Sequence, residues 1–280
     1  MKVIGVDLGG TKIMAALIEE EKILRQYSCP TPFDQEKLIV VDAIAGAISH
    51  LFDDDVAGIG IGVPGLVDLK NNLVFNVVNI PLWGVVPLKQ LIEERFHKPV
   101  FVNNDANCFA IGEKYFGKAK DYQNFIGITL GTGFGAGIII NNHLYSGNYC
   151  GAGEFGMIYY KDKNVEAYSS GQFFKELELS GADLAKKAAE GDAKALKLFE
   201  TFGVHVGRAI ANILYALAPE AIILGGSVSR SFCFFEKSMR SVLDHEFEYK
   251  KIYESLKIEV TELDNGTLGA SSLVFDSRAS

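Results

Sequence analysis

Two short glycine-rich stretches have the residue types for phosphate chemistry. Asp7-Leu8-Gly9-Gly10-Thr11-Lys12 and Leu130-Gly131-Thr132-Gly133 each end one apolar run and precede another. A glycine turn between two strands presents several backbone N–H groups to an anion, and only glycine lets phosphate oxygens come that close. Lys12 and the hydroxyls of Thr11 and Thr132 add donors. Asp7, at a strand end, is placed to hold Mg²⁺ through water, because protein-bound Mg²⁺ keeps several waters. The plainer reading is that a tight hairpin needs glycine anyway. Recurrence favours the phosphate reading: Ile4-Gly5-Val6-Asp7-Leu8-Gly9-Gly10-Thr11 lies over Ile126-Gly127-Ile128-Thr129-Leu130-Gly131-Thr132-Gly133, with residues 4, 5, 8 and 9 identical to their counterparts. That spacing implies an internal duplication, each half opening on a hairpin with a glycine turn.

Two other glycine patterns lead nowhere. Gly60-Ile-Gly62-Val-Pro-Gly65 and Gly131-Thr-Gly133-Phe-Gly135-Ala136 match dinucleotide fingerprints. Neither is followed by a helix start, so the pyrophosphate would have no helix N-terminus to rest on.

The frame that positions these residues reads as strands alternating with helices. It opens with strand Lys2–Leu8, turn Gly9-Gly10-Thr11, strand Lys12–Ile18, acidic turn Glu19–Glu21 and strand Lys22–Ser28. Asp34 is placed to cap a helix with apolar positions Leu38, Val41, Ile44, Ile48 and Leu51 at helical spacing. Strand Val56–Val63 ends in Pro64-Gly65, and a helix around Pro87–Arg95 leads to strand Pro99–Val102. Asn103-Asn104-Asp105 closes that strand and opens a helix toward Phe116-Gly117. The second half predicts strand Phe125–Leu130, glycine turn Gly131–Gly137 and strand Ile138–Asn141. A long helix Ala193–Ala216 follows, capped by Asp192 and stopped by Pro219, then strand Ala221–Leu224 ending in Gly225-Gly226-Ser227. A helix near Arg230–Leu243, strand Ile258–Leu263 and a last helix opening near Asn265-Gly266 complete an α/β class.

Composition removes other classes. The chain of 280 residues is 48% hydrophobic and 22% charged, ordinary for a folded protein. A net charge of −8 argues against a non-specific nucleic-acid binder or an anionic-membrane binder. There is no apolar run long enough for a membrane helix and no signal-peptide core near the start, so a cytoplasmic location is expected. Cys29, Cys108, Cys150 and Cys233 form no C-x-x-C pair, suit neither a disulfide framework nor a zinc cluster, and fit a reducing compartment.

The ordered set Asp7-Leu-Gly-Gly-Thr-Lys12, Gly62-Val-Pro-Gly65, Asn103-Asn-Asp-Ala-Asn107, Gly131-Thr-Gly-Phe-Gly-Ala-Gly137, Gly151-Ala-Gly-Glu-Phe-Gly156 and Leu224-Gly-Gly-Ser227 resembles the ROK family. That family contains bacterial sugar kinases and sugar-responsive repressors. The resemblance implies the actin-like ATPase (ribonuclease H-like) fold, two duplicated lobes around a cleft. Residues 1–117 would form the N-terminal lobe and 118–280 the C-terminal lobe, the final helix placed to pack back on the first. It implies ATP and Mg²⁺ as cofactors, a hexose or N-acetylhexosamine as acceptor, and phosphorylation at the 6-hydroxyl; homodimers are common in the family. Asp105 aligns with its catalytic base, although an Asp opening a helix is equally a common N-cap. Gly65, Asn79, Asn104, Asp105, Glu154 and Glu166 resemble its sugar contacts, a donor and acceptor set suited to a polyol. Asp7, Gly9, Gly10, Thr11, Lys12, Gly131, Thr132, Gly133, Gly225 and Gly226 resemble its nucleotide-binding residues.

Departures are specific. The family usually carries His where Met157 stands and then a Cys-rich segment completing a zinc site, whereas Tyr159–Val165 has no Cys. Tetrahedral zinc wants three thiolates and an imidazole here, so no zinc is expected and packing should hold this loop. Since the family His also touches sugar, Met157 leaves sugar identity open and keeps a catalytically weakened sugar-binding regulator as the alternative. A DNA-binding helix before Asp7 is not expected, with six residues preceding it. His205 and the Phe232, Phe234, Phe235 cluster read as packed rather than functional.

Overall fold

Alternating β-branched and apolar residues at the start build an antiparallel ribbon of β1 (Lys2–Leu8), β2 (Lys12–Glu19) and β3 (Lys22–Pro30). The structure, a computed structural model, describes residues 1–263 and 266–279. The chain divides into two units. Unit 1 comprises Met1–Asp121, Leu144–Ala152 and Glu262–Ser280, and unit 2 comprises Tyr122–His143 and Gly153–Thr261.

In unit 1, β4 (Val56–Val63) lies parallel to β1, and β8 (Val100–Asn104) parallel to β4, giving the order β3-β2-β1-β4-β8. Between them β5 (Leu66–Asp68), β6 (Leu73–Phe75) and β7 (Val85–Val86) form a small antiparallel sheet. Helices α1 (Lys37–Ser49) and α2 (Leu88–Phe96) accompany the larger sheet, and α3 (Asp105–Tyr115) leaves the end of β8.

Unit 2 repeats the pattern. β9 (Phe125–Leu130) and β10 (Phe134–Ile140) form the hairpin, and β11 (His143–Leu144) flanks it. β12 (Tyr159–Tyr160) and β13 (Lys163–Asn164) make a separate two-stranded hairpin. Then come α4 (Val165–Ser169), α5 (Gly171–Glu176), α6 (Gly181–Ala189), α7 (Ala193–Leu217), β14 (Ala221–Gly225), α8 (Phe232–Glu246), α9 (Lys250–Ser255) and β15 (Lys257–Val260). The sheet order β11-β10-β9-β14-β15 reproduces that of unit 1, with the same antiparallel hairpin and the same two parallel neighbours. The duplication inferred from the glycine turns is therefore one of topology as well as sequence.

The last helix, α10 (Gly266–Ala279), packs in unit 1 against α3, β1 and β4. Two sheet glycines permit that approach: a Cβ on Gly5 would lie 1.9 Å from the Thr267 carbonyl oxygen, and one on Gly60 1.9 Å from that of Ala270. The start expected near Asn265 falls outside the described residues; from Gly266 the segment is helical.

Several expectations need correction. Asp34 does not cap α1: the helix begins at Lys37 after Glu36, and Asp34 instead accepts from Gln35 Nε2. Bonds from Phe33 N to Thr31 O and Gln35 N to Pro32 O hold that stretch in a turn. As a result Leu38 is 54% exposed, and the buried face runs through Val40, Val41, Ile44, Ala45, Ala47 and Ile48. The second glycine turn ends at Gly133, because Phe134 already pairs with Leu130 and Gly135 with Thr129; ladder pairing outweighs the weak strand preference of glycine. Residues 228–231 form a 3₁₀ turn before α8, and β15 stops at Val260.

Candidate active site

In unit 1 the register aligns Asp7 of β1 with Gly62 of β4, and Gly62 with Asn103 of β8. With parallel strands about 4.8 Å apart, Asp7 and Asn103 lie about 10 Å from each other at one sheet end. Ligands of open α/β sheets bind outside such carboxyl ends.

Asn104 is the N-cap of α3: its Oδ1 accepts from Ala106 N at 2.9 Å and Asn107 N at 3.4 Å. Of the two readings left open for Asp105, the cap thus belongs to its neighbour. Asp105 is the first helical residue, exposed, with Oδ1 2.9 Å from Ala106 N. Asn104 Nδ2 donates to Gly65 O at 3.3 Å, so Gly65, Asn104 and Asp105 come together. A buried amide ladder supports them: Asn103 Oδ1 accepts from Asn104 N at 2.8 Å and Asn107 Nδ2 at 2.9 Å.

The first glycine turn closes with Gly9 N donating to Lys12 O at 3.0 Å. Buried Thr31 takes two of its carbonyls, Oγ1 donating to Gly9 O at 2.7 Å and N to Thr11 O at 3.0 Å. The N–H groups of Gly10 and Thr11 have no acceptor among the described residues. Asn79, in left-handed backbone at φ 65°, lies against the turn: a Cβ on Gly10 would be 2.9 Å from Asn79 Cβ. Thr11 and Lys12 are exposed. Asp7 makes no hydrogen bond or ion pair among the described residues, and burial pushes its carboxyl above the usual range.

The second turn, in unit 2, is held in a parallel way. Gly131 N donates to Gly133 O at 3.0 Å, Gly171 N to Gly131 O at 2.7 Å, and the Ser170 hydroxyl lies 3.2 Å from Thr132 O. The Glu166 carboxylate accepts from Phe134 N at 2.9 Å and Gln172 Nε2 at 2.6 Å. Glu154 is exposed, and partial desolvation, then the Glu166 carboxylate, raise its carboxyl above the usual range. Gly226, at φ 84°, leaves no room for a side chain; its Cβ would be 2.5 Å from Leu130 O. Gly131 and Thr132 open into a cavity of about 960 Å³ whose walls include Gln172, Phe174, Phe199 and Arg230. That volume suits a drug-sized ligand. Gly225 and Gly226 do not line it; Ser227 and Val228, which follow them, do.

Thr31, Ser170, Gly171 and Gln172 escaped sequence reading. Their only local signals are a hydroxyl between Pro30 and Pro32 and a Ser-Gly pair opening a helix, since Ser170 Oγ accepts from Gln172 N.

Around the missing zinc segment, Met157 is 50% exposed and Cys150 buried, its thiol raised to about 11 mainly by burial. All four cysteines are free, and no group of three or more metal-ligating side chains comes together among the described residues. The β12–β13 hairpin is tied to α7 by other means. Arg208 Nη1 donates to Tyr160 Oη at 3.4 Å, and that hydroxyl lies 3.0 Å from His205 Nδ1. Arginine only donates, so the Tyr160 oxygen accepts from it and the Tyr160 proton is left available to an unprotonated Nδ1. Tyr168 and Phe173 pack on the same buried ring, and burial first, then Lys161 and Arg208, lower His205 to about 4.

No helix among the described residues is long and apolar enough to cross a membrane. The ROK family profile matches residues 3–277. A glucokinase of Thermotoga maritima is 31% identical, with 98% of this chain and 97% of that protein aligned. A xylose repressor of Bacillus subtilis is 33% identical over 98% of this chain and 77% of its own length. A ROK family glucokinase from Streptomyces griseus, solved with glucose and AMPPNP, superposes over 100% of both chains at TM-score 0.84 and 30% identity. The actin-like ATPase fold and its duplicated halves are therefore those of relatives that include both kinases and regulators, and the chain belongs to the ROK family.

Proposed function

We propose that this protein transfers the γ-phosphoryl group of ATP to a hexose or N-acetylhexosamine, at the 6-hydroxyl. The observation that carries the reading is the second glycine turn. Its carbonyls are taken by protein donors, Thr132 and Gly133 keep their N–H groups, and it opens into a cavity of nucleoside size. Kinase relatives, one of them solved with AMPPNP, support the same assignment.

Phosphoryl transfer asks the protein for positioning, charge neutralisation and a base. In unit 1 the backbone N–H groups of Gly10 and Thr11, with Lys12, would serve phosphate oxygens, and in unit 2 those of Thr132 and Gly133 would do the same. Asp105 would accept the proton of the attacking hydroxyl, its carboxylate held at the start of α3 while Asn104 serves the cap. Asn79 and Asn104 in unit 1, and Glu154 and Glu166 in unit 2, are the proposed sugar contacts, amides that donate and accept and carboxylates that accept from hydroxyls. Mg²⁺ fits Asp7, a desolvated carboxylate with no cation beside it among the described residues, and a lone carboxylate would hold it mainly through water and phosphate oxygens. When bound it supplies positive charge against the phosphate oxygens.

Asp105→Ala should lower sugar-dependent ADP release by at least about a hundredfold while leaving AMPPNP binding intact. Near-normal turnover in that variant would sink the assignment. The exposed Met157 favours a second reading, a sugar-binding regulator with weakened catalysis. Thermal stabilisation by a sugar without ADP release across a sugar panel would select it.

A further inference from the structure

The two glycine turns share a device that neither motif reveals. In a planar trans peptide, the carbonyl of one residue and the N–H of the next point in opposite directions. Fixing the Gly9 carbonyl therefore aims the Gly10 N–H, and fixing those of Gly131 and Thr132 aims the N–H groups of Thr132 and Gly133. Each of these carbonyls has a donor beside it: Thr31 Oγ1 for Gly9 O at 2.7 Å, Gly171 N for Gly131 O at 2.7 Å, and Ser170 Oγ for Thr132 O at 3.2 Å. Ser170 shares its proton with Glu166 O at 2.8 Å, so the backbone bond from Gly171 is the firmer of that pair. Clamping matters because glycine peptides flip at little conformational cost. A flipped plane would turn a carbonyl toward an incoming anion.

We propose that Thr31 in unit 1 and the Ser170-Gly171 pair in unit 2 are positioning residues that lock these peptide planes with their N–H groups toward the nucleotide phosphates. The inference rests on the nucleotide-site reading above. Thr31 and Ser170 do not line the cavity, whereas Gly171 does and also fixes Gly131 O through its backbone. Thr31 is buried and acts through Gly9, while Gly171 packs so closely that a Cβ would lie 2.7 Å from Gly131 O.

The test is titration calorimetry with AMPPNP and Mg²⁺ on the wild type, Thr31→Val, Thr31→Ser and Thr31→Ala, with the Tm of each unliganded protein. Thr31→Val keeps the shape and backbone N–H of Thr31 and removes the hydroxyl alone. Binding should weaken roughly tenfold or more, as expected when an oriented donor to a charged group is lost. Tm should hardly move, and Thr31→Ser should restore affinity. Wild-type affinity in Thr31→Val, or no rescue by Ser, overturns the inference. If Thr31→Val does not fold, Thr31→Ala is compared with Thr31→Ser: weaker binding in Ala than in Ser supports the clamp, and equal wild-type affinity in both refutes it. Failure of the wild type itself to bind AMPPNP would instead overturn the nucleotide-site reading.

Discussion

A single methyl group at Gly133 tests how the second glycine turn is built. Its Cβ would lie 2.5 Å from Glu166 Oε2, well inside contact distance, so the carboxylate must move. That carboxylate is anchored at both ends, by Phe134 N at 2.9 Å and Gln172 Nε2 at 2.6 Å. Hydrogen bonds to a charged acceptor contribute about 1.5–3 kcal/mol each, and the half-buried Glu166 can regain water, so the loss should be about 2–3 kcal/mol. For a chain of this size that corresponds to a Tm drop of about 5–10 °C. Gly131→Ala is the matched control, since its Cβ meets nothing within 4 Å. Thermal unfolding of Gly133→Ala, Glu166→Ala and the double variant forms a cycle. In Glu166→Ala the obstructing carboxylate is gone, so adding Gly133→Ala should cost little further. Strict additivity, or a Gly133→Ala protein as stable as the control, would refute the reasoning.

Three further outcomes follow from the same contacts. His205 is held at about 4, against an ordinary 6.5, so the folded state resists its protonation. Stability from this group is complete above about pH 6.5 and drains as pH falls toward 4, by at most about 3 kcal/mol. The other four histidines are exposed, so His205→Asn should flatten the pH dependence of Tm in that window; an unchanged slope counts against the buried neutral ring. Asp7→Asn removes a carboxylate that burial disfavours, so the unliganded Tm should hold or rise while the Mg²⁺-dependent gain in AMPPNP affinity disappears. A retained Mg²⁺ gain would place the cation elsewhere. Exhaustive EDTA treatment should leave Tm unchanged, because the hairpin between Tyr159 and Asn164 is tied through Tyr160, His205 and Arg208. A collapse on chelation would reveal a structural metal.

Strands with strong local patterning were legible along the chain: Lys2–Leu8, Val56–Val63 and Phe125–Leu130 have the same bounds in sequence and structure. So was the Asp192 cap of α7, whose Oδ1 accepts from Ala195 N. The start of α1 differs because Leu38 sits on the helical period yet is exposed, and period alone cannot say what lies opposite. Helices α4, α5 and α6 went unseen, two of them being only five and six residues long and capped by Asn164 and Ser170 rather than marked by an apolar stripe. For the candidate site, residue types announced the glycine turns and the Asn103-Asn104-Asp105 corner. Which of Asn104 and Asp105 caps the helix depends on backbone angles that neither residue type dictates.

By itself the sequence determined the α/β class, the duplicated glycine hairpins and the family, because each is written in local spacing and in the order of motifs. Only the tertiary structure decided the partners of those motifs. Thr31 reaches Gly9 across 22 positions and Glu166 reaches Phe134 across 32, contacts set by how separate elements pack. The direction in which a glycine peptide points is the clearest case. Glycine leaves both orientations open along the chain, and a hydrogen bond from a distant residue selects one.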